Sequence, residues 1–113
     1  MYQDKIVLCG ANSYEEKFYL NPDFDNLPQH IKDELKIMCV LYVNDVGGIL
    51  TLTFAEDGEL QFEVTSMECD PMFDEIGSRL KIKQIQNDTE KQELLEQLQL
   101  YYKVFFLGEE LNE

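Results

Sequence analysis

The chain has 113 residues and a formal net charge of −14, with 44% hydrophobic and 12% aromatic residues. This apolar content excludes a disordered chain and predicts one folded domain over residues 1–113, long enough for a single hydrophobic core. The charge disfavours nucleic-acid phosphates and anionic membranes as partners, and it favours basic proteins or cations.

The cysteines and the hydropathy pattern predict a cytoplasmic protein. Cys9, Cys39 and Cys69 are odd in number and widely spaced, so they do not form a disulfide framework. The first apolar run, at 6–9, is shorter than the apolar core of a signal peptide. No run approaches the roughly 18 apolar residues of a membrane-spanning helix.

The first twenty residues contain a hairpin pattern. A run of strand-forming residues at 6–11 is followed by turn-forming residues. Phe18 and Leu20 then alternate with Lys17 and Tyr19, as in a strand with one buried face. The Asn, Pro and Asp residues that come next end the second strand.

A long helix is predicted to begin at Pro28, because proline suits the first helical turn. Its apolar face comprises Ile31, Leu35, Met38 and Tyr42. Every residue at 37–43 is apolar, which predicts that the second half of the helix is buried nearly all round. The two glycines at 47–48 end the helix.

The clearest pattern is a second hairpin over residues 49–65. Apolar and polar residues alternate on both sides of a Glu-Asp-Gly turn at 56–58. The apolar positions are Leu50, Leu52, Phe54, Leu60, Phe62 and Val64. Such alternation predicts a sheet with one face on the core and the other in solvent.

Two further helices are predicted. The first begins at Asp70 and Pro71, which are typical of a helix start, and its apolar face comprises Phe73, Ile76 and Leu80. Residues 79–86 also alternate enough to form a strand, so both alternatives stay open. The second helix, over 89–107, ends at Gly108, and a frayed acidic tail occupies 108–113.

The element order is therefore ββ-α-ββ-α-α. It predicts an α+β fold in which a four-stranded antiparallel sheet, made of two hairpins, carries three helices on one face.

An acidic segment at 68–75 is the candidate metal site. No Lys or Arg lies between Lys36 and Arg79, and nine acids do. The four closest together are Glu68, Asp70, Asp74 and Glu75. Hard cations bind several carboxylate oxygens, although the spacing is not that of a Ca²⁺-binding loop. The alternative is a structural strand-to-helix junction, in which the carboxylates favour the helix N-terminus.

Catalytic residues are few. His30 is the single histidine, and it lies on the first turn of a predicted helix, where a nucleophile partner is not expected. The three cysteines have no second thiolate or imidazole ligand nearby in sequence, which disfavours zinc without excluding a site assembled in space. We identify no catalytic residue, expect no cofactor, and favour a binding role over an enzyme.

The last helix carries more apolar side chains than one contact with a sheet covers. Excess apolar surface and aromatic residues are both typical of interfaces. The candidate interface comprises Tyr101, Tyr102, Phe105 and Phe106, with a homodimer or a basic protein as the partner. The alternative is that this helix lies centrally in the core.

Five segments carry a resemblance: KIVLCGANSYEEKFY, LPQHIKDELKIMCVLY, GGILTLTF, FDEIG and LYYKVFFLG. Together they resemble a family of short, acidic, uncharacterised proteins of Clostridia-type bacteria. The resemblance covers nearly the whole chain and implies a bacterial cytoplasmic protein of unknown function, with no functional residue to transfer.

From the residues themselves we expect a small protein-interaction or regulatory module that self-associates through the C-terminal helix. The alternative is a regulatory domain that binds a cation or a small ligand with the acidic segment at 68–75.

Overall fold

The computed structural model describes residues 6–67, 70–71 and 73–108. The strands are β1 (Ile6–Asn12), β2 (Lys17–Leu20), β3 (Ile49–Phe54) and β4 (Leu60–Thr65). The α-helices are α1 (Gln29–Val46), α2 (Glu75–Asn87) and α3 (Thr89–Phe105). A short 3-10 helix, Pro22–Phe24, lies between β2 and α1.

This order is the ββ-α-ββ-α-α arrangement that the sequence predicts, and the α+β prediction is confirmed. The strands form one antiparallel sheet in the order β2-β1-β3-β4. Helix α1 packs on β1, β2 and β3, α3 packs on β4, and α2 contacts both of the other helices. Buried side chains from the sheet and from all three helices form one hydrophobic core.

The register of β3 with β4 confirms the predicted alternation. The apolar residues lie opposite each other in three pairs: Leu50–Val64, Leu52–Phe62 and Phe54–Leu60. Leu50, Leu52 and Phe54 of β3 are fully buried. This hairpin therefore presents a continuous apolar face to the helices, as period-two patterning requires.

Strand β1 contains a bulge that the sequence does not signal. Val7 pairs with Thr53 and Cys9 pairs with Leu52, so Leu8 has no residue opposite it in β3. A bulge lets two successive residues turn toward the same side of a sheet. Leu8 and Cys9 are both fully buried in the core as a result.

Helix α1 has the predicted apolar face. Its buried residues include Ile31, Leu35, Met38 and Tyr42. The expectation that 37–43 is buried nearly all round is wrong, because Ile37 and Leu41 are each 57% exposed. A helix that packs on one sheet turns its opposite side away from the core, and a continuous apolar run does not reveal which side that is.

Residues 79–86 are helical, so the strand alternative is excluded. Helix α2 begins at Glu75 with Asp74 as its N-terminal cap, later than the predicted start at Asp70 and Pro71. The Asp74 backbone N–H donates to the carbonyl oxygen of Val46 at 3.2 Å. This contact with the end of α1 helps to fix where α2 starts.

The predicted apolar face of α2 is also wrong. Ile76 is 75% exposed and Leu80 is 58% exposed, while Ser78 and Ile85 face the core. The hydroxyl of Tyr42 in α1 donates to the Ser78 carbonyl oxygen at 2.9 Å. Because that bond ties the Ser78 side of α2 to α1, Ile76 and Leu80 turn outward.

Helix α3 buries Leu94, Leu98 and Tyr102, and it leaves Phe105 exposed. Asp88 caps its start by accepting from the Glu90 backbone N–H at 2.9 Å. Of the predicted acidic tail, the structure describes Gly108 alone. Within residues 6–67, 70–71 and 73–108, no helix combines the length and apolar character that a membrane crossing needs.

Candidate functional site

The acidic segment between β4 and α2 is held by Tyr14, which lies in the β1–β2 turn. The Tyr14 hydroxyl donates to an oxygen of the Asp70 carboxylate. The same hydroxyl accepts from the Met67 backbone N–H at 3.1 Å. The bond to Asp70 raises the pKa of the Tyr14 phenol, because it stabilises the protonated form. This ring therefore fastens the first hairpin to the chain that leaves β4.

The other two described acids of this segment, Asp74 and Glu75, interact with residues of α2. The Asp74 carboxylate accepts from the Gly77 backbone N–H at 2.8 Å, which satisfies a free donor of the first turn. A Cβ atom on Gly77 would lie 2.2 Å from that carboxylate, so the glycine leaves room for the cap. Glu75 pairs with Arg79 one turn later, with an N–O distance of 3.0 Å.

Each described candidate metal ligand thus has a partner in the protein. Asp70 bonds to Tyr14, Asp74 caps α2, and Glu75 pairs with Arg79. Glu68, the fourth candidate, lies outside the described residues. In the part of the chain that the structure describes, no three His, Cys, Asp or Glu side chains group as metal ligands would.

The two described thiols are buried, whereas His30 is exposed. Cys9 and Cys39 are fully buried, with their sulfur atoms 3.9 Å apart. Contact with Cys39 and burial raise the pKa of Cys9 well above its ordinary value, so it stays protonated at neutral pH. His30 is exposed and lines a depression with Glu34 and Glu90. Cys69 lies outside the described residues.

The aromatic side chains of α3 extend a stack that begins in the core. Four rings form a closed group, with neighbouring centroids 4.3–5.6 Å apart. They belong to Phe24, Phe54, Tyr102 and Phe106. The first three are buried, and Phe106 is 38% exposed at the surface end. The stack thus leads from the sheet to the end of α3.

The four predicted interface residues therefore divide into two groups. Tyr102 is a core residue, and Tyr101 is half-buried against Phe105, with ring centroids 4.7 Å apart. Phe105 is 69% exposed, and Leu107 beside it is 40% exposed. We call Phe105, Phe106 and Leu107 the C-terminal patch. Tyr102 is buried and the patch is exposed because of the side of α3 that packs on the core, and the sequence alone does not reveal that side.

Two acidic segments border the C-terminal patch. The ring of Phe24 stacks on that of Phe106, with centroids 4.7 Å apart. The 3-10 segment that contains Phe24 therefore lies along one side of the patch. The β3–β4 turn lies on another side, because a Cβ atom on Gly58 would be 3.5 Å from Leu107 Cδ1. The exposed acids of the two segments are Asp23, Asp25, Glu56, Asp57 and Glu59.

Two lysines offset part of this charge. Lys32 pairs with Asp25 at 3.3 Å, and the stem of Lys103 lies against the Gly58 turn. Five acids and two bases leave the border of the patch negative. The C-terminal end of α3 adds the negative pole of the helix dipole. Sequence reasoning missed this border because the acids come from segments far apart in the chain.

A second exposed apolar surface lies on α1 and α2. Ile37 and Leu41 of α1 line a groove of about 240 Å³ together with Lys81 and Gln84 of α2. This volume is below the roughly 300–1,000 Å³ of sites that bind small molecules. Neither this groove nor the exposed side of α2 was predicted from the sequence.

The chain matches one family model over nearly its whole length. The match covers residues 5–110, and the model describes a family of unknown function, DUF6145. No curated protein and no solved structure matches the chain.

Proposed function

The chain belongs to DUF6145, a family of unknown function, and we propose that it is a protein-interaction module that binds its partner through the C-terminal patch. The observation that carries the proposal is the exposure of Phe105, at 69%, beside exposed Phe106 and Leu107. Three successive large apolar side chains at one helix end form a patch, whereas isolated exposed residues are normal on any surface.

The connection of the patch to the core supports this role. Phe106 stacks on Phe24 and on Tyr102, so the patch rests on fixed rings and not on a mobile loop. Rigid aromatic side chains are favoured in interfaces because they lose little conformational entropy on binding. Burial of the exposed parts of these side chains by a partner would contribute the hydrophobic part of the affinity.

The charge around the patch indicates the chemistry of the partner. An apolar centre bordered by Asp23, Glu56, Asp57 and Glu59 favours a surface that combines apolar side chains with Lys or Arg. Exposed rings also attract cationic side chains directly. The same acids repel nucleic acids and anionic membranes, so we propose a protein partner.

A calorimetric titration with a defined probe tests the proposal. The probe is a synthetic amphipathic helix of Leu and Lys, titrated into the protein at low micromolar concentration. We expect binding that Phe105→Glu abolishes and Tyr19→Glu leaves intact, because Tyr19 is 54% exposed on a different element, β2. A Leu and Glu helix of the same length should not bind. If Phe105→Glu and Tyr19→Glu bind the Leu and Lys helix equally well, the role of the patch is refuted.

A second candidate function is the regulatory domain that binds a cation or small ligand at 68–75. It has less support, because the described carboxylates of that segment already bond to Tyr14, to the first turn of α2 and to Arg79. It requires Glu68 and a rearrangement of at least one of these contacts.

A further inference from the structure

We infer that the partner of the C-terminal patch is the outer face of α2 in a second copy of this chain, so that copies associate head to tail. This inference rests on the proposed function and names the partner. The outer face of α2 comprises Ile76, Arg79, Leu80 and Lys83.

The outer face of α2 exposes apolar side chains beside basic ones. Ile76, Leu80 and Lys83 follow one another at intervals of four and three residues, so they lie on one side of the helix. Ile76 is 75% exposed and Leu80 is 58% exposed, although both are strongly apolar. Arg79 pairs with Glu75 in solvent, and such an exposed pair is weak enough to exchange for another carboxylate.

The charge of α2 is opposite to that of the rest of the chain. Helix α2 carries three basic residues and one acid, whereas α1 and α3 each carry two bases and three acids. In a chain with a net charge of −14, α2 is the helix with an excess of positive charge. It therefore provides the combination of apolar and basic side chains that the acidic border of the C-terminal patch favours.

The two surfaces lie at opposite ends of the β3–β4 hairpin. At the open end, a Cβ atom on Gly48 would touch both Thr65 and Phe73, which precedes α2. At the turn, Gly58 lies against Lys103 and Leu107 at the end of α3. Six residues of β4 separate the two ends by about 20 Å. One copy cannot bring its own two surfaces together, so the contact must form between copies.

A contact between two different surfaces is heterologous, and it leaves one free surface of each kind on every dimer. Further copies can add at either end, so the mean mass should rise with concentration. The repulsion between copies that each carry a charge of −14 should keep the assemblies short. The groove beside α2, lined by Ile37 and Leu41, offers adjoining apolar surface for an incoming aromatic ring.

Sedimentation velocity of the full chain, from low micromolar to millimolar concentration, tests the inference. We expect the wild-type mean mass to rise with concentration. Phe105→Glu removes the patch and Leu80→Glu removes the α2 face, and each variant alone should remain monomeric. Both positions are exposed, so neither charge is forced into the core. Tyr19→Glu, which adds the same charge at a third exposed site, should associate like the wild type.

Mixing the two monomeric variants gives the decisive result. Leu80→Glu keeps an intact patch and Phe105→Glu keeps an intact α2 face, so an equimolar mixture should form a dimer of one copy of each. That dimer should not grow, because its two free surfaces are both disabled. A symmetric patch-to-patch dimer would instead leave Leu80→Glu associated and the mixture without mixed dimers, which would overturn the inference.

The remaining outcomes separate the inference from the proposed function. A wild-type protein that stays monomeric at every concentration overturns the head-to-tail contact. If the Leu and Lys helix still binds and Phe105→Glu abolishes that binding, the patch serves a different protein and the proposed function stands. If neither association nor binding of the helix occurs, both ideas fail.

Discussion

The rings of Phe54 and Tyr102 stack almost in parallel, with centroids 4.3 Å apart and planes 7° apart. The stack joins the sheet to α3 three residues before Phe105, which is 69% exposed. Two aromatic residues less than one helical turn apart thus have different roles. Tyr102 holds α3 on the sheet, and Phe105 belongs to the surface that we propose binds a partner.

Truncation of these two rings should have very different costs. Tyr102→Ala should lower the free energy of unfolding by about 3–5 kcal/mol, as expected for a buried aromatic side chain. Phe105→Ala should lower it by less than about 1 kcal/mol, because most of its surface is already in solvent. Urea unfolding measures both values. Similar losses in the two variants would show that Phe105 is a structural residue.

Replacement of Tyr14 by Phe should loosen the segment between β4 and α2. The Met67 N–H would lose its acceptor and Asp70 would lose a donor. We expect faster hydrogen exchange of the Met67 amide, measured by NMR, while the core amides keep their protection. Tyr19→Phe on the neighbouring strand is the control and should leave Met67 unchanged. Unchanged exchange in Tyr14→Phe would mean that other contacts hold the segment.

The same hydrogen bond predicts a dependence on alkaline pH. The folded pKa of Tyr14 is raised by its bond to Asp70, so the folded state favours the neutral phenol. The resulting stabilisation is complete below the ordinary tyrosine pKa of about 10, and it declines as pH rises through the higher folded value. Urea unfolding of the wild type should therefore lose stability above about pH 10 more steeply than that of Tyr14→Phe. Parallel curves would contradict this explanation.

Two glycines with positive φ should differ in their response to alanine. At Gly48, with φ of 85°, the new methyl would lie 2.6 Å from the Thr65 carbonyl oxygen and 2.8 Å from the Phe73 ring. Backbone strain and this clash should cost about 2 kcal/mol or more. At Gly58 the methyl meets the flexible Lys103 side chain at 2.9 Å, so about 1 kcal/mol of strain should dominate.

Thermal unfolding of Gly48→Ala and Gly58→Ala checks this order. The larger loss at Gly48 is the expected result, since Thr65 pairs with Ile49 in the sheet and its backbone shifts less easily than the Lys103 side chain. A larger loss at Gly58 would mean that the β3–β4 turn packs against α3 more rigidly than its contacts indicate.

Substitutions at Asp74 separate its capping role from cation binding. Asp74→Ala should lower the free energy of unfolding by about 1 kcal/mol, whereas Asp74→Asn should change it little because asparagine caps equally well. If capping is the only role, the melting temperature of the wild type should not respond to Ca²⁺, Mg²⁺ or a chelator. A metal-dependent rise that Asp74→Asn removes would support the second candidate function instead.

The sequence was most informative where one physical constraint dominates. The alternation around the turn at 56–58 correctly predicts the strands and the shared apolar face of Leu52 and Phe62, because period-two patterning and turn chemistry are both local. The apolar face of α1, with Leu35 and Tyr42, follows from helical periodicity in the same way.

The sequence was less informative where tertiary contacts decide. Asp70 and Asp74 are both suitable helix caps, and the bond from Asp74 to Val46 selects the second. Ile76 and Leu80 have the spacing of a buried face, yet the bond between Tyr42 and Ser78 rotates them outward. The candidate binding surface on α2 comes from Ile76 and Leu80, and so periodicity alone could not identify it.

The position of β1 between β2 and β3 has a consequence for the folding of a newly made chain. On the ribosome, β1 and β2 can form their hairpin early, because the residues that pair are close in sequence. The other edge of β1 pairs with β3, so it stays unpaired until the 3-10 segment, α1 and β3 have all been synthesised. Pairing of such distant residues slows folding and exposes an unpaired edge in the meantime. A nascent chain arrested before β3 should therefore be the form most prone to aggregate or to need a chaperone.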